Sequence, residues 1–308
     1  MEAIQETDED VMVNLAADAP VIGRRHPSWI RAKQTWTDAF SQTNAVLRNH
    51  GLVTVCEEAK CPNIGDCYSH STATFMILGD TCTRRCNFCA VTQANPMAKP
   101  PDATEPQRLA QAALELGLNH IVITSVARDD LRDQGAGHFA DCANEIKRIH
   151  PAAQIEVLIP DFRGYEAPLR TVVESPIAVL NHNTETVPRL YRNVRRGARY
   201  WRTLTLLQRS KQIRPELPTK SGLMLGLGEE PDEVLDVLFD LREAGVNILT
   251  LGQYLQPSPD QLPVTRYIPP EEFTMWKRDA LALGFNHVES GPMVRSSYHA
   301  WEHVATPV

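Results

Sequence analysis

No apolar run in this 308-residue chain approaches the roughly 20 residues needed to cross a bilayer, so a membrane-spanning role is not expected. The first twenty residues hold six acidic side chains and no Lys or Arg. They lack the basic start and apolar core of a signal peptide and the basic bias of a transit peptide. Their composition predicts a mobile, solvated tail. Positive charge is short overall: 31 Lys and Arg against 38 Asp and Glu give a formal net charge of −7, which argues against a general nucleic-acid binder. The cysteines do not form the two CxxC pairs of a zinc ribbon. Their odd number, seven, in a chain without a secretory signature argues against a disulfide framework.

Six of the seven cysteines instead fall into two closely spaced triplets. Cys56, Cys61 and Cys67 form a C-x4-C-x5-C array in CEEAKCPNIGDC, and Cys82, Cys86 and Cys89 form a C-x3-C-x2-C array in CTRRCNFC. Three thiolates are one short of the four that close a structural zinc site or fully ligate a four-iron cluster. A triplet on such a cluster leaves one iron open to a substrate or cofactor, so each site is expected to be reactive. Free thiolates and exposed clusters need a reducing compartment, which points to the cytoplasm. Cys142, the cysteine left over, lies in a helical pattern and reads as a small buried apolar residue.

The rest of the chain alternates short apolar runs with amphipathic ones. Strands are expected over 73–79, 120–126, 155–160, 176–183, 221–228 and 247–255, each followed by a helical segment. Such alternation predicts an α/β fold with a parallel sheet and helices outside. Six units are too few for the usual eight-stranded closure, so a partial (β/α)6 TIM-like barrel is expected. The expected division is an N-terminal extension over 1–70, the barrel over 71–285 and a C-terminal extension over 286–308. Chemistry in such folds gathers where strands end. Ser125, Arg128, Asp129 and Asp130 follow the second strand, and Asn181, His182, Asn183 and Glu185 the fourth. His182 has no second ligand at i+4, so it reads as a structural hydrogen-bonding residue.

CTRRCNFC resembles the signature of the radical S-adenosylmethionine (SAM) superfamily. The resemblance implies that Cys82, Cys86 and Cys89 hold a [4Fe–4S] cluster whose open iron chelates S-adenosyl-L-methionine, and that reduction yields a 5′-deoxyadenosyl radical. Arg84 and Arg85 would add positive charge near this cluster. The resemblance places Phe88 by the adenine. GLMLGLGE, containing Gly222 and Gly226, is similar to the family's adenine-flanking GxIxGxxE element. Cofactor contacts are also implied for Ser125, Asn183 and Glu185. A carboxylate at 185 can accept from two ribose hydroxyls; its other reading is a first-turn helix residue favouring the dipole.

The first triplet narrows the resemblance. CEEAKCPNIGDC, TSVARDDL, VLNHNTETV, RLYRNVRRGARY, LGQYLQPS and GPMVRSSYHA together resemble the lipoyl synthase family over roughly residues 28 to 301. This implies that Cys56, Cys61 and Cys67 hold a second [4Fe–4S] cluster with Ser297 of RSSY as its fourth ligand. It further implies sulfur insertion at C6 and C8 of an octanoyl chain on a carrier-domain lysine, with the second cluster as sulfur source. The implied partners are octanoylated lipoyl carrier domains and an electron donor of ferredoxin or flavodoxin type. RSSY alone would read as a polar turn. Where the family carries paired glycines near the methionine end of the cofactor, this chain has Gln134-Gly135. Nine basic residues over 189–214 read either as a solvated face or as a docking surface for an acidic carrier domain. The competing functions are a biotin-synthase-like enzyme and a non-catalytic iron–sulfur scaffold. The first triplet argues against the former, the cofactor-like strand ends against the latter.

Overall fold

The computed structural model describes residues 26–32, 37–70, 72–93, 99–298 and 300. The acidic N-terminal segment therefore lies outside the described residues. Ten strands are assigned: β1 (Val53–Thr54), β2 (Thr74–Ile77), β3 (Thr81–Cys82), β4 (Thr92–Gln93), β5 (His120–Ser125), β6 (Gln154–Leu158), β7 (Val179–Asn181), β8 (Thr219–Leu225), β9 (Ile248–Gln253) and β10 (His287–Gly291). Eight of them form one sheet in the order β1-β2-β5-β6-β7-β8-β9-β10. From β2 to β10 every pairing is parallel; β1 alone is antiparallel. The two end strands, β1 and β10, do not pair with each other, so the sheet is an open barrel.

The six expected strands are present. Four more are not expected from the pattern: β1 and β10, which join the main sheet from the segments read as extensions, and the small β3–β4 pair. β10 is a short polar stretch, HVESG, with one buried residue, so its apolar signal is weak. β1 has two residues. By contrast β2 and β9 are buried along their whole length, as suits strands covered on both faces. Helices over Glu105–Glu115, Ala136–Ile149, Glu166–Val173, Tyr200–Ile213, Pro231–Glu243 and Pro270–Ala282 return the chain between parallel strands. Their inward faces, among them Leu109, Phe139, Ile146, Val172, Leu207 and Leu238, form the core against the sheet. Cys142 is fully buried there, and burial pushes its thiol well above the usual range. It is core, as its sequence setting suggests.

The barrel interior is not wholly apolar. Lys220 on β8 and Glu156 on β6 are both fully buried and pair at 2.8 Å. Asn181 on β7 donates to the same carboxylate at 3.1 Å. Residues two positions further along these strands, Leu158, Asn183 and Gly222, line the cavity described below. Side chains alternate along a strand, so the ion pair is one layer beneath the cavity floor. Burial alone would raise the Glu156 carboxyl; Lys220 and His120 outweigh it and hold it low, at about 2.

Removing one partner leaves an uncompensated buried charge. Lys220→Met should therefore destabilise the fold by about 3–5 kcal/mol in denaturant unfolding, and the double variant Lys220→Met/Glu156→Leu should recover most of that loss. Equal stability of the single variant and wild type would show that the pair is dispensable.

Candidate functional site

The loop after β2 is built by constraint. Leu78 takes φ 69° and Gly79 φ 91°. The backbone N–H of Leu78 donates to Glu105 Oε2 at 2.9 Å and its carbonyl accepts from buried Arg128. His138 shares the same Glu105 oxygen at 2.6 Å. The chain then runs into β3 and returns at β4, so residues 82–92 form a closed loop carrying Cys82, Cys86 and Cys89. Cys82 Sγ accepts two backbone N–H groups, from Arg84 and Ala127, each at 3.4 Å. Arg84 grips Asp129 with two nitrogens, at 2.8 and 2.7 Å, and reaches Asp161 at 2.6 Å. Arg202 holds the other oxygen of Asp161 at 2.9 Å. Burial raises the Asp161 carboxyl, but Arg84 and Arg202 overcome this and hold it well below the usual carboxylate range. The loop therefore rests on an Arg–Asp–Arg bridge from the adjoining strand ends.

The first triplet is wound differently. Cys56 lies in the short helix Val55–Glu58 after β1, and Cys67 in Ile64–Ser69. Cys61 lies in the turn between them, its N–H donating to the Cys56 carbonyl at 2.9 Å. The C-terminal segment closes over these turns. Asn63 donates to the Met293 carbonyl at 2.7 Å, and Tyr298 to Asp66 at 3.2 Å. Thr74 donates to Ser297 Oγ at 2.8 Å and stands beside Cys56, so this residue joins the serine to the triplet. The passage needs Gly252: a Cβ there would stand 2.2 Å from the Val294 carbonyl oxygen.

Both triplets open into one cavity of about 510 Å³ at the C-terminal ends of the strands. Cys56 and Cys61 of the first triplet and Cys82, Cys86 and Cys89 of the second all line it. Phe88, Ser125, Asn183, Glu185, Gly222 and Ser297 also line it, as expected from the sequence. Cys67 and Gly226 do not. Cys67 stands beside Cys56 and Cys61, and these neighbours together with burial push its thiol up. Gly226 shapes the turn after β8 at φ 105°, where a Cβ would collide with Gln253 and the Arg266 carbonyl. Its N–H, with that of Leu227, donates to Glu229 at 2.9 Å.

Glu185 begins no helix. It bridges to Leu223 of β8 at φ 71°, and the next helical turn starts at Pro188. The helix-dipole reading of this residue is thereby corrected. Glu185 is half-buried; desolvation raises its carboxyl, while Arg195 and a hydrogen bond from Asn183 oppose the rise. His182 is buried and bonds the Ile159 carbonyl at 2.8 Å and Thr203 at 3.2 Å, a structural role as expected. Burial pulls it down to about 3, so the ring is neutral. The Gln134–Gly135 turn does not line the cavity. It lies behind Leu78, with both residues left-handed at φ 55° and 86°.

Arg195 was not singled out within the basic run, yet it lines the cavity, as Lys60, Arg84 and Arg295 do. It is half-buried, donates to the Asn183 carbonyl at 2.7 Å, and lies near Cys86 and Glu185. Arg295 occupies the matching place near Cys61. Nothing in the run RNVRRGAR marks 195 over its neighbours; only the backbone path turns it inward. Of the same run, Arg192, Arg196 and Arg199 are exposed.

The donor set fits two anionic metal–sulfur clusters. Burial pushes Cys86 up to about 11, Cys89 to about 12 and Cys56 to about 12, with neighbouring cysteines adding to the rise. Such grouped thiols need bound cations to deprotonate together. Among the described residues no three His, Cys, Asp or Glu side chains converge on a single metal ion. Two buried oxygens in the cavity, Ser125 Oγ and Asn183 Oδ1, have no protein partner. Buried polar atoms without partners are rare and mark a polar ligand.

Comparison with known proteins agrees with this geometry. The family model described as the radical SAM superfamily matches residues 76–241. The chain is 53% identical over 282 residues to a lipoyl synthase of Methylobacillus flagellatus, covering 91% of this chain and 86% of that protein. It is 54% identical over 289 residues to a lipoyl synthase of Klebsiella pneumoniae, covering 93% and 89%. The crystal structure of methylornithine synthase superposes with a TM-score of 0.52 at 12% identity, over 84% of this chain and 82% of that one, which shows a shared fold.

The Arg84 bridge generates a prediction. Arg84→Ala strands buried Asp161 with one cation and should cost about 3–5 kcal/mol of stability. Arg84→Lys keeps the charge but loses the bidentate grip, so it should fall between. Denaturant unfolding and proteolysis within 82–92 measure both; an Arg84→Ala loop as protected as wild type would contradict the bridging role.

Proposed function

The chain belongs to the lipoyl synthase family of radical SAM enzymes, and from that membership we propose that it inserts two sulfur atoms, at C6 and C8, into an octanoyl chain amide-linked to a lysine of a carrier domain. The observation that carries this reading is the opening of both cysteine triplets into one cavity. Unactivated C–H bonds do not yield to acid–base catalysis, so hydrogen removal and sulfur delivery must happen at the same carbon. A single cavity between the two triplets meets that demand.

In this reading Cys82, Cys86 and Cys89 hold one [4Fe–4S] cluster, and Cys56, Cys61, Cys67 and Ser297 hold the other. When bound, the first cluster with S-adenosyl-L-methionine supplies a 5′-deoxyadenosyl radical, and the second supplies sulfur. The chain's own residues do the positioning. Glu185 and Asn183, at the ends of β7 and its bridge to β8, fit the ribose hydroxyls. Gly222 leaves room because a side chain there would meet Thr250 and Asn183. Ser125 and Asn183 offer buried oxygens that await a partner. Phe88 fits the adenine side. Arg195 and Arg295, both half-buried, supply positive charge beside the two triplets. Met293, Ser297 and Tyr298 close the cavity against Asn63, Thr74 and Asp66, beside the barrel strands. The proposed partners are octanoylated carrier domains and a low-potential electron donor, in a cytoplasmic setting. No described helix is long and apolar enough to cross a membrane.

Anaerobic turnover of an octanoyl-lysine peptide, read by mass spectrometry, tests the function; a peptide that gains no sulfur while 5′-deoxyadenosine accumulates would sink it. Reconstituted protein should hold about eight iron atoms, two four-iron clusters. Replacing Cys82, Cys86 and Cys89 by Ala should halve the iron and abolish cleavage of S-adenosyl-L-methionine. Replacing Cys56, Cys61 and Cys67 should also halve it, yet leave cleavage and stop sulfur insertion. Lipoyl product from the latter variant would place the sulfur source elsewhere.

Ser297 carries its own prediction. Ser297→Ala should leave the radical cluster intact and weaken sulfur transfer, whereas Ser297→Cys should hold iron more firmly and slow release, since thiolate suits iron better than a hydroxyl oxygen. Ser296→Ala is the control. Unchanged sulfur insertion in Ser297→Ala would remove this residue from the site.

A further inference from the structure

Two cysteines of the second triplet border two separate hollows. Cys86 and Cys89 line the large cavity, and they also line a separate hollow of about 330 Å³ on the other side of their loop. Asn87, Thr92, Gln93, Asp260 and Gln261 form the rest of its polar lining, with Thr92, Gln93 and Asp260 exposed. Asn87 stitches this wall to the basic segment: its N–H donates to the Val194 carbonyl at 3.0 Å and its side-chain amide to the Asn193 carbonyl at 2.6 Å. Arg192 and Arg196 flank the stitched residues and are exposed, as is Arg85 on the loop itself. None of the three makes an ion pair among the described residues, whereas Arg189, Arg202 and Arg214 of the same run do. In a chain of net charge −7, unpaired cations gathered beside one surface hollow make a local positive face. Asp260 is the acidic residue in the hollow's lining.

We propose that this hollow and its arginine rim form the docking face for a small electron-carrier protein with an acidic surface around its redox centre. The inference rests on the function proposed above, in which cofactor and octanoyl chain fill the large cavity, leaving the outer side of Cys86 and Cys89 as the free approach to the cluster. One electron passes from the carrier to the cluster. The carrier is oxidised by one electron, the cluster is reduced by one, and no bond is made or broken in that step. Charge complementarity selects the carrier: opposite charge steers encounter and fixes orientation more than it adds affinity.

The test is the double variant Arg192→Glu/Arg196→Glu, both positions being exposed and outside the large cavity. Binding of oxidised flavodoxin to the reconstituted enzyme, measured by surface plasmon resonance at low salt, should weaken by about tenfold or more and lose its salt dependence. Formation of 5′-deoxyadenosine driven by flavodoxin, its reductase and NADPH should fall in step, while the dithionite-driven rate stays at the wild-type level. Unchanged flavodoxin binding would overturn the proposal. So would weakened binding of an octanoylated carrier domain with flavodoxin binding intact, since the rim would then serve the substrate protein. Failure of the wild type to cleave S-adenosyl-L-methionine even with dithionite would instead strike the parent reading, and the two failures are distinguishable.

Discussion

The passage of Val294 directly over Gly252 is the contact on which the site depends. Residue 252 carries no side chain, so the C-terminal segment can lie against β9 at the mouth of the barrel. From there Met293 takes a hydrogen bond from Asn63, Tyr298 reaches Asp66, and Ser297 meets Thr74 beside Cys56. Three hydrogen bonds thus join segments more than 200 residues apart in sequence. Without that closure the first triplet would face solvent on short helices of four and six residues, too short to hold themselves. An added methyl at 252 does not merely fill space; it displaces a backbone carbonyl and with it the whole lid.

The second triplet is held by charge. Arg84 sits inside the cysteine loop and binds carboxylates from two neighbouring strand ends, Asp129 after β5 and Asp161 after β6. Arg202 closes the bridge from the helix after β7. A buried ion pair gives little net stability compared with apolar packing, but it specifies geometry, because each charge must find its partner. The loop before it is pinned the same way at Leu78, whose two backbone groups are taken up by Glu105 and Arg128. The two triplets are therefore fixed by different means, a chain closure and a salt-bridge lattice, and meet across one cavity.

Much of this was legible in the sequence because its signals are local. The cysteine spacings, the apolar runs of β2, β5 and β9, and the glycines after β8 are each readable within ten residues. The structure brings most of the expected cavity residues together, Ser297 among them. What escaped was set by the tertiary path. Arg195 and Arg196 are neighbours of the same type, yet one lies in the cavity and the other in solvent. β10 carries too few apolar residues to announce a strand, and pairs because β9 offers it an edge. Glu185 had two readings in the sequence, ribose acceptor and helix-dipole partner; its left-handed backbone and bridge to Leu223 remove the second. Gly252 is silent in sequence, since nothing local says what will pass over it.

The central claim is that the protein itself is the sulfur source, held by the first triplet and Ser297 across the cavity from the radical site. A single turnover of protein reconstituted anaerobically with ³⁴S-sulfide, given an octanoyl-lysine peptide and excess S-adenosyl-L-methionine in unlabelled buffer, tests it most directly. The account predicts product in which both inserted atoms are ³⁴S, with no more than one dithiolane precursor per protein chain. Product carrying unlabelled sulfur, or many turnovers without cluster repair, would contradict it.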